Sequence, residues 1–450
     1  MSKMIQELRR EVRPMLRLAL PVVIAELGWM GMGVVDTMML GRIDAESIGA
    51  ASVGRALFLV VAIFGFGVLF SLDTVISNAF GAGDAQGCRA GLAQGVYLSL
   101  GMTPLLMGAV HLLAGGMDVW GIDASVRTLA LPYVKIVSWS MLPLLLYATF
   151  RRYLQAVNLV RPVMIALVSA NLVNAICNWA WIFGHLGFPA MGSRGAAWAT
   201  CLSSAYMAAF LLVAILLRER RDRPGPGGFP WRPDLGRLRR LLSLGLPVAF
   251  QLILEVGVFA LATVLVGRLA PATLAAHQIA LNAASVTYMV PLGISSAAAV
   301  RVGQALGRKD APGAARAGWT ALLLGAAFMA LAAAIFVAAP RLVLRAFTSD
   351  PGVVTAGITL LYVAAAFQLF DGLQVVATGA LRGAGDTRTP MFWNLVGYWL
   401  LGLPVGILLC FRAGWGAVGL WIGLSIGLTV VGSVLLRVWA RRARETAFPR

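Results

Sequence analysis

The chain has 450 residues, 59% hydrophobic and 12% charged, with a mean hydropathy of +0.82. Those figures exclude an ordinary water-soluble domain, in which about a quarter of the residues are charged. A formal charge of +18 would suit nucleic acid only as a basic face on a folded domain; here the arginines cluster between apolar runs, so no nucleic-acid partner is expected.

Apolar runs fall at 14–40, 48–72, 89–114, 127–150, 162–184, 194–218, 241–267, 274–300, 314–339, 353–380, 389–411 and 414–438. Each is long enough to cross a bilayer as a helix, and open strands are excluded because lipid leaves their edges unpaired. The expected fold is an all-α polytopic membrane protein of twelve transmembrane helices. The first run continues into a full span without a small-residue cleavage site, so no cleaved leader is expected.

The first run contains "ALPVVIAELGWMGMGVVDTMMLGR" (19–42), which places two acids, Glu26 and Asp36, in an apolar helix. At 100° per residue Trp29, Met32, Gly33 and Asp36 share one face, with Glu26 at its margin. Asp73 lies near the end of the second run. In the fifth, "NLVNAICNW" aligns Asn171, Asn174 and Asn178. The seventh has Gln251 one turn before Glu255, and the eighth carries His277, Gln278, Asn282 and Ser285. In the tenth, "FQLFDGLQVVAT" sets Gln368, Asp371, Gln374 and Thr378 along one stripe.

An ionisable group at mid-bilayer costs about 2.5–3.5 kcal/mol on insertion scales, so it normally faces a wet cavity or an opposite charge. Asp36, Glu255 and Asp371 are therefore the candidate cation-binding residues, with Asn174, Asn178, Gln278, Asn282, Gln368 and Gln374 as supporting amides. Trp29, Met32, Phe259, Tyr288 and Phe367 are candidate substrate contacts, although at helical spacing such residues also serve as packing. Glu26 stays open between a substrate contact and a structural acid paired with a neighbouring helix. Arg55 and Lys135 read as side chains reaching for the interface. His277 reads either as titratable or as a hydrogen-bonded packing residue.

The stretch 218–240, rich in Arg, Pro and Gly, reads as a linker between a six-helix lobe at 1–217 and another at 241–450. The halves repeat: residues 19–42 align without a gap on "GLPVAFQLILEVGVFALATVLVGR" (245–268), an offset of 226. The same offset sets Gly67 on Gly293 and "NAFGAGDA" on "QALGRKDA". Parallel repeats of this kind flank a substrate site in alternating-access transporters. Of the 37 Lys and Arg, 28 fall on one side of the expected topology and seven on the other, which puts both termini in the cytoplasm.

No phosphate-binding loop for ATP is present, nor any catalytic or metal-ligand cluster. The four cysteines are scattered without pairing motifs. A transporter rather than an enzyme is expected, without cofactors and driven by an ion gradient. A membrane carboxylate can take a proton, hold Na⁺ or pair with a cationic substrate.

Over nearly its whole length the chain resembles the multidrug and toxic compound extrusion (MATE) transporters, in particular their NorM-like branch. The resemblance is carried by "MGMGVVDTMMLGR", "NLVNAICNWAWIFG", "AAHQIALN", "VRVGQALG" and "FDGLQVVATGALRGAGDTRTP". It implies two pseudo-symmetric six-helix lobes around a central cleft, and export of cationic or aromatic drugs in exchange for Na⁺ or H⁺. By matching motifs, Asp36 takes the part of the first-lobe acid, with Asn174 and Asn178 as neighbours; Glu255 and Asp371 resemble the second-lobe cation site, where Na⁺ would bind. Glu26 lies outside the pattern. The expected setting is the bacterial inner membrane, with the protein working as a monomer. Two other readings stand beside it: a flippase for lipid-linked saccharide or precursor, which would call for a basic cavity, and a non-transporting receptor.

Overall fold

The computed structural model describes residues 2–119, 121, 123–221 and 230–447; positions 222–229 of the expected linker lie outside the described residues. Among the described residues there is no strand. The described residues form sixteen α-helices, in the order α1 (Ser2–Leu40), α2 (Ala45–Leu69), α3 (Ser71–Gly81), α4 (Ala85–Gly115), α5 (Ala124–Val137), α6 (Met141–Ala156), α7 (Val160–Phe183) and α8 (Ser193–Arg221). They continue as α9 (Leu235–Val266), α10 (Pro271–Gly307), α11 (Ala311–Ala338), α12 (Pro340–Arg345), α13 (Pro351–Gly383), α14 (Arg388–Asn394), α15 (Leu403–Ile407) and α16 (Gly416–Ala447). Among the described residues twelve helical stretches are long and apolar enough to cross a membrane, one for each expected run.

Several stretches are longer than the apolar runs that announce them, because polar residues at their ends find partners inside the protein. The second span continues through α3 to Gly81, and the fourth, made of α5 and α6, continues to Ala156. Arg151 and Arg152, which directly follow the fourth apolar run, therefore lie within that span. Both are buried in α6. The eleventh span contains two π-helical segments, Leu395–Gly402 and Leu408–Arg412.

The chain divides into two compact units, Ile24–Ala249 and Met1–Val23 with Phe250–Arg450. Each unit therefore gains the first part of a long helix, α9 in one case and α1 in the other. Within the Ile24–Ala249 unit, α9 meets α2 so closely that a Cβ on Gly67 would lie 2.7 Å from the Ala249 backbone nitrogen. Within the other unit, a Cβ on Gly293 of α10 would lie 2.9 Å from the Val23 nitrogen. Only glycine allows backbones to approach this closely. Arg301 of α10 adds an ion pair to Glu11 of α1, with Nε donating to the carboxylate at 2.7 Å.

The repeated loops share one geometry. Asp84 and Asp310 each accept a hydrogen bond from the backbone nitrogen of the third residue on, Gly87 at 2.7 Å and Gly313 at 2.8 Å, and so cap α4 and α11. The residue before each cap is left-handed: Gly83 at φ 74° and Lys309 at φ 59°. At the end of the linker Gln94 of α4 grips the chain at both ends of its amide. It donates to the Arg232 carbonyl at 2.9 Å and accepts from the Asp234 backbone nitrogen at 3.0 Å.

Candidate functional site

The acids buried in the spans fall into two kinds, those with an arginine and those without. Glu26 of α1 accepts from the Arg151 guanidinium of α6, and both residues are buried. Asp73 of α3 accepts from Arg152 Nη1 at 3.3 Å. Arg152 also donates to Gln155 Oε1 and lies 3.8 Å over the Phe70 ring. These pairs satisfy charge inside the protein and bind α6 to α1 and α3. Glu26 thus has the cross-helix partner that one of its two readings called for.

Asp36 is intermediate. Asn178 Nδ2 donates to its Oδ1 at 2.6 Å and to Asn174 Oδ1 at 3.0 Å, so the two amides of α7, both fully buried, form a chain to the carboxylate. Arg55 Nη1 stands 3.8 Å from Asp36 Oδ2, within Coulombic reach and beyond a hydrogen bond. A cavity of about 30 Å³ adjoins the pair, lined by Asp36, Thr37, Ser52, Arg55 and Tyr133 among others. Arg55, read from the sequence as reaching for the interface, lies against the first acid. Of the other face-mates, Trp29 packs edge-on to Phe66 at 6.2 Å and Met32 is buried in the core.

Glu255 of α9 and Asp371 of α13 are buried, and among the described residues neither has an ion-pair partner. Tyr288 of α10 donates its hydroxyl to Glu255 Oε1 at 3.1 Å. Buried oxygens without a hydrogen bond lie on the same two helices: Gln251 Oε1, Gln368 Oε1 and Thr378 Oγ1. Gln368 spends its amide nitrogen on Thr287 Oγ1 at 2.6 Å. Gln374 is taken up by structure, accepting from Tyr398 and donating to Asn394. Gln278 and Asn282 are exposed. Phe259 packs against Tyr398 and Phe367 against Trp421. No group of three or more His, Cys, Asp or Glu suited to a metal occurs among the described residues.

His277 belongs to neither acid site. Its Nδ1 accepts from Trp421 Nε1 at 2.9 Å, so Nε2 carries the proton and donates to Thr263 Oγ1 at 3.0 Å. Thr263 in turn donates to the Phe259 carbonyl. The ring is a neutral brace among α9, α10 and α16, as its packing reading held.

The MatE family signature matches residues 21–180 and 247–408, which take in all three candidate acids. The chain belongs to the MatE family. Among its relatives in the family, the probable multidrug resistance protein NorM of Mesorhizobium japonicum is 38% identical over 97% of this chain and 95% of its own length. The multidrug resistance protein NorM of Vibrio vulnificus is 33% identical over 95% and 94% respectively. The MatE fold is also that of the crystal structure of the eukaryotic MATE transporter AtDTX14, with a TM-score of 0.86 at 22% identity, covering 98% of this chain and 99% of that one.

The arginines opposite Glu26, Asp73 and Asp36 are what sequence reasoning missed. A signal was available for Arg55, since an arginine in the middle of an apolar run needs an acid nearby. For Arg151 and Arg152 the apolar run ended too early to show that the helix continued.

Proposed function

We propose that this MatE-family chain is a secondary active multidrug exporter that exchanges cationic or aromatic drugs for Na⁺ or H⁺ by alternating access. The observation that carries the reading is the contrast among its buried acids. Glu26 and Asp73 hold arginines, whereas Glu255 and Asp371 have no basic partner among the described residues. A buried carboxylate without a counter-ion is strongly disfavoured, so these two need a proton, an alkali ion or a cationic substrate as part of the working cycle. The unpaired oxygens of Gln251, Gln368 and Thr378, on the helices that carry the two carboxyls, are ligands of the right kind for a Na⁺ ion.

In this reading Asp36 holds the cationic end of a drug, with Asn174 and Asn178 fixing its carboxylate. Ion entry neutralises the acids and weakens that hold. The names of the NorM relatives favour drug export over the flippase and receptor readings. The 28-to-7 division of basic residues supports cytoplasmic termini in a bacterial inner membrane, with six-helix lobes at 1–217 and 241–450 joined by the linker. A chain that contains both acid sites is expected to work as a monomer.

The test is efflux of a fluorescent cation from proteoliposomes under an imposed Na⁺ gradient and, separately, an imposed pH gradient. The proposal requires that at least one drives efflux. Equal leakage under both and under neither sinks it.

A further inference from the structure

We propose that Arg55 makes the first-lobe site selective for zwitterions, compounds that carry a carboxylate beside their cationic group. The inference rests on the proposed role of Asp36 as the acid that holds a drug's positive end.

Three observations carry it. The first is that the guanidinium has five donors and makes no hydrogen bond among the described residues; its ion pair to Asp36, at 3.8 Å, is too long for one. The second is that its position is built. A Cβ on Gly33 would overlap the guanidinium, so the glycine one turn before Asp36 is what seats Arg55 against α1. The third is the cavity that both charges line together with Ser52, Thr37 and Tyr133. It has room for a small polar group such as a carboxylate beside the two charges.

An acid and an arginine with free donors on one cavity are complementary to a ligand bearing both charges. The ligand's cation approaches Asp36 and its carboxylate takes the two-pronged face of Arg55, the geometry that guanidinium groups favour. A plain cation at the same place meets the positive charge of Arg55 and has nothing to offer its donors. Selectivity of this kind comes from the repulsive element as much as from the attractive one.

The experiment uses rhodamine B, a zwitterion, and its ethyl ester, a cation with the same ring system. Binding to the purified full-length transporter is read by fluorescence anisotropy. Arg55→Gln should weaken rhodamine B by about tenfold, the worth of one charge-assisted contact, and tighten the ester. Arg55→Lys, which keeps the charge but loses the fork, should retain the preference for rhodamine B in reduced form. Asp36→Asn should weaken both dyes. If Arg55→Gln weakens both dyes alike or changes neither while Asp36→Asn weakens both, the inference is wrong and the role of Asp36 stands. Unchanged binding of both dyes in Asp36→Asn overturns the role of Asp36 and this inference with it.

Discussion

Glu26 and Arg151, 125 residues apart in sequence, form a buried ion pair that fastens α1 to α6. Removing one partner of such a pair leaves an uncompensated charge out of water and typically costs about 3–5 kcal/mol. Glu26→Gln and Arg151→Gln should therefore each lower the stability of the detergent-solubilised protein by that order. The double variant should be no worse than either single one, because the second change removes the orphaned charge. Equilibrium unfolding of the three variants checks this; purely additive losses would show that the pair does not act as a unit.

The close approach of Gly67 to Ala249, and of Gly293 to Val23, fixes the start of α9 and of α1 in their respective units. Ala at Gly67 or Gly293 would press against backbone rather than against a side chain that can turn away. Each substitution should cost about 1–3 kcal/mol. Gly108→Ala in α4 makes a useful control, since nothing lies within 4 Å of a Cβ there, and it should be neutral or mildly stabilising. Thermal melts of the three variants distinguish a packing constraint from a general intolerance of change at glycine.

Trp421 and His277 give a third expectation. Trp421→Phe keeps the aromatic packing and deletes the only donor to His277 Nδ1 among the described residues, leaving a buried acceptor unpaired. The loss should be about 1–3 kcal/mol by denaturant unfolding, with gradient-driven efflux retained at temperatures well below the melt. Loss of ion coupling with stability intact would instead put His277 in the transport cycle.

Much of this architecture was legible in the sequence because lipid imposes such a narrow rule on composition. The twelve apolar runs each became a span, and the offset of 226 appears in three dimensions as two loops with the same cap and two glycine contacts. The candidate acids were legible for the same reason, since Asp36, Glu255 and Asp371 stand out against apolar neighbours. Their partners were not. Pairing between Glu26 and Arg151 depends on which faces of α1 and α6 meet, and helical periodicity within one segment carries no information about that. The break at Phe70 between α2 and α3 and the π-helical turns after Asn394 were equally hidden. Local windings of this kind are set by packing, as at Gly397, where a Cβ would lie 3.0 Å from the Gly427 carbonyl oxygen.

The central claim is that buried acids lacking an arginine do the coupling, while those with one hold the fold together. It is tested most directly by gradient-driven efflux from proteoliposomes of Glu255→Gln, Asp371→Asn and Asp36→Asn beside Glu26→Gln, each assayed at a temperature where the variant is folded. The account predicts that the first three lose the dependence of efflux on the ion gradient and that Glu26→Gln keeps it. Gradient-dependent efflux surviving in all of the first three, or lost only in Glu26→Gln, would contradict it.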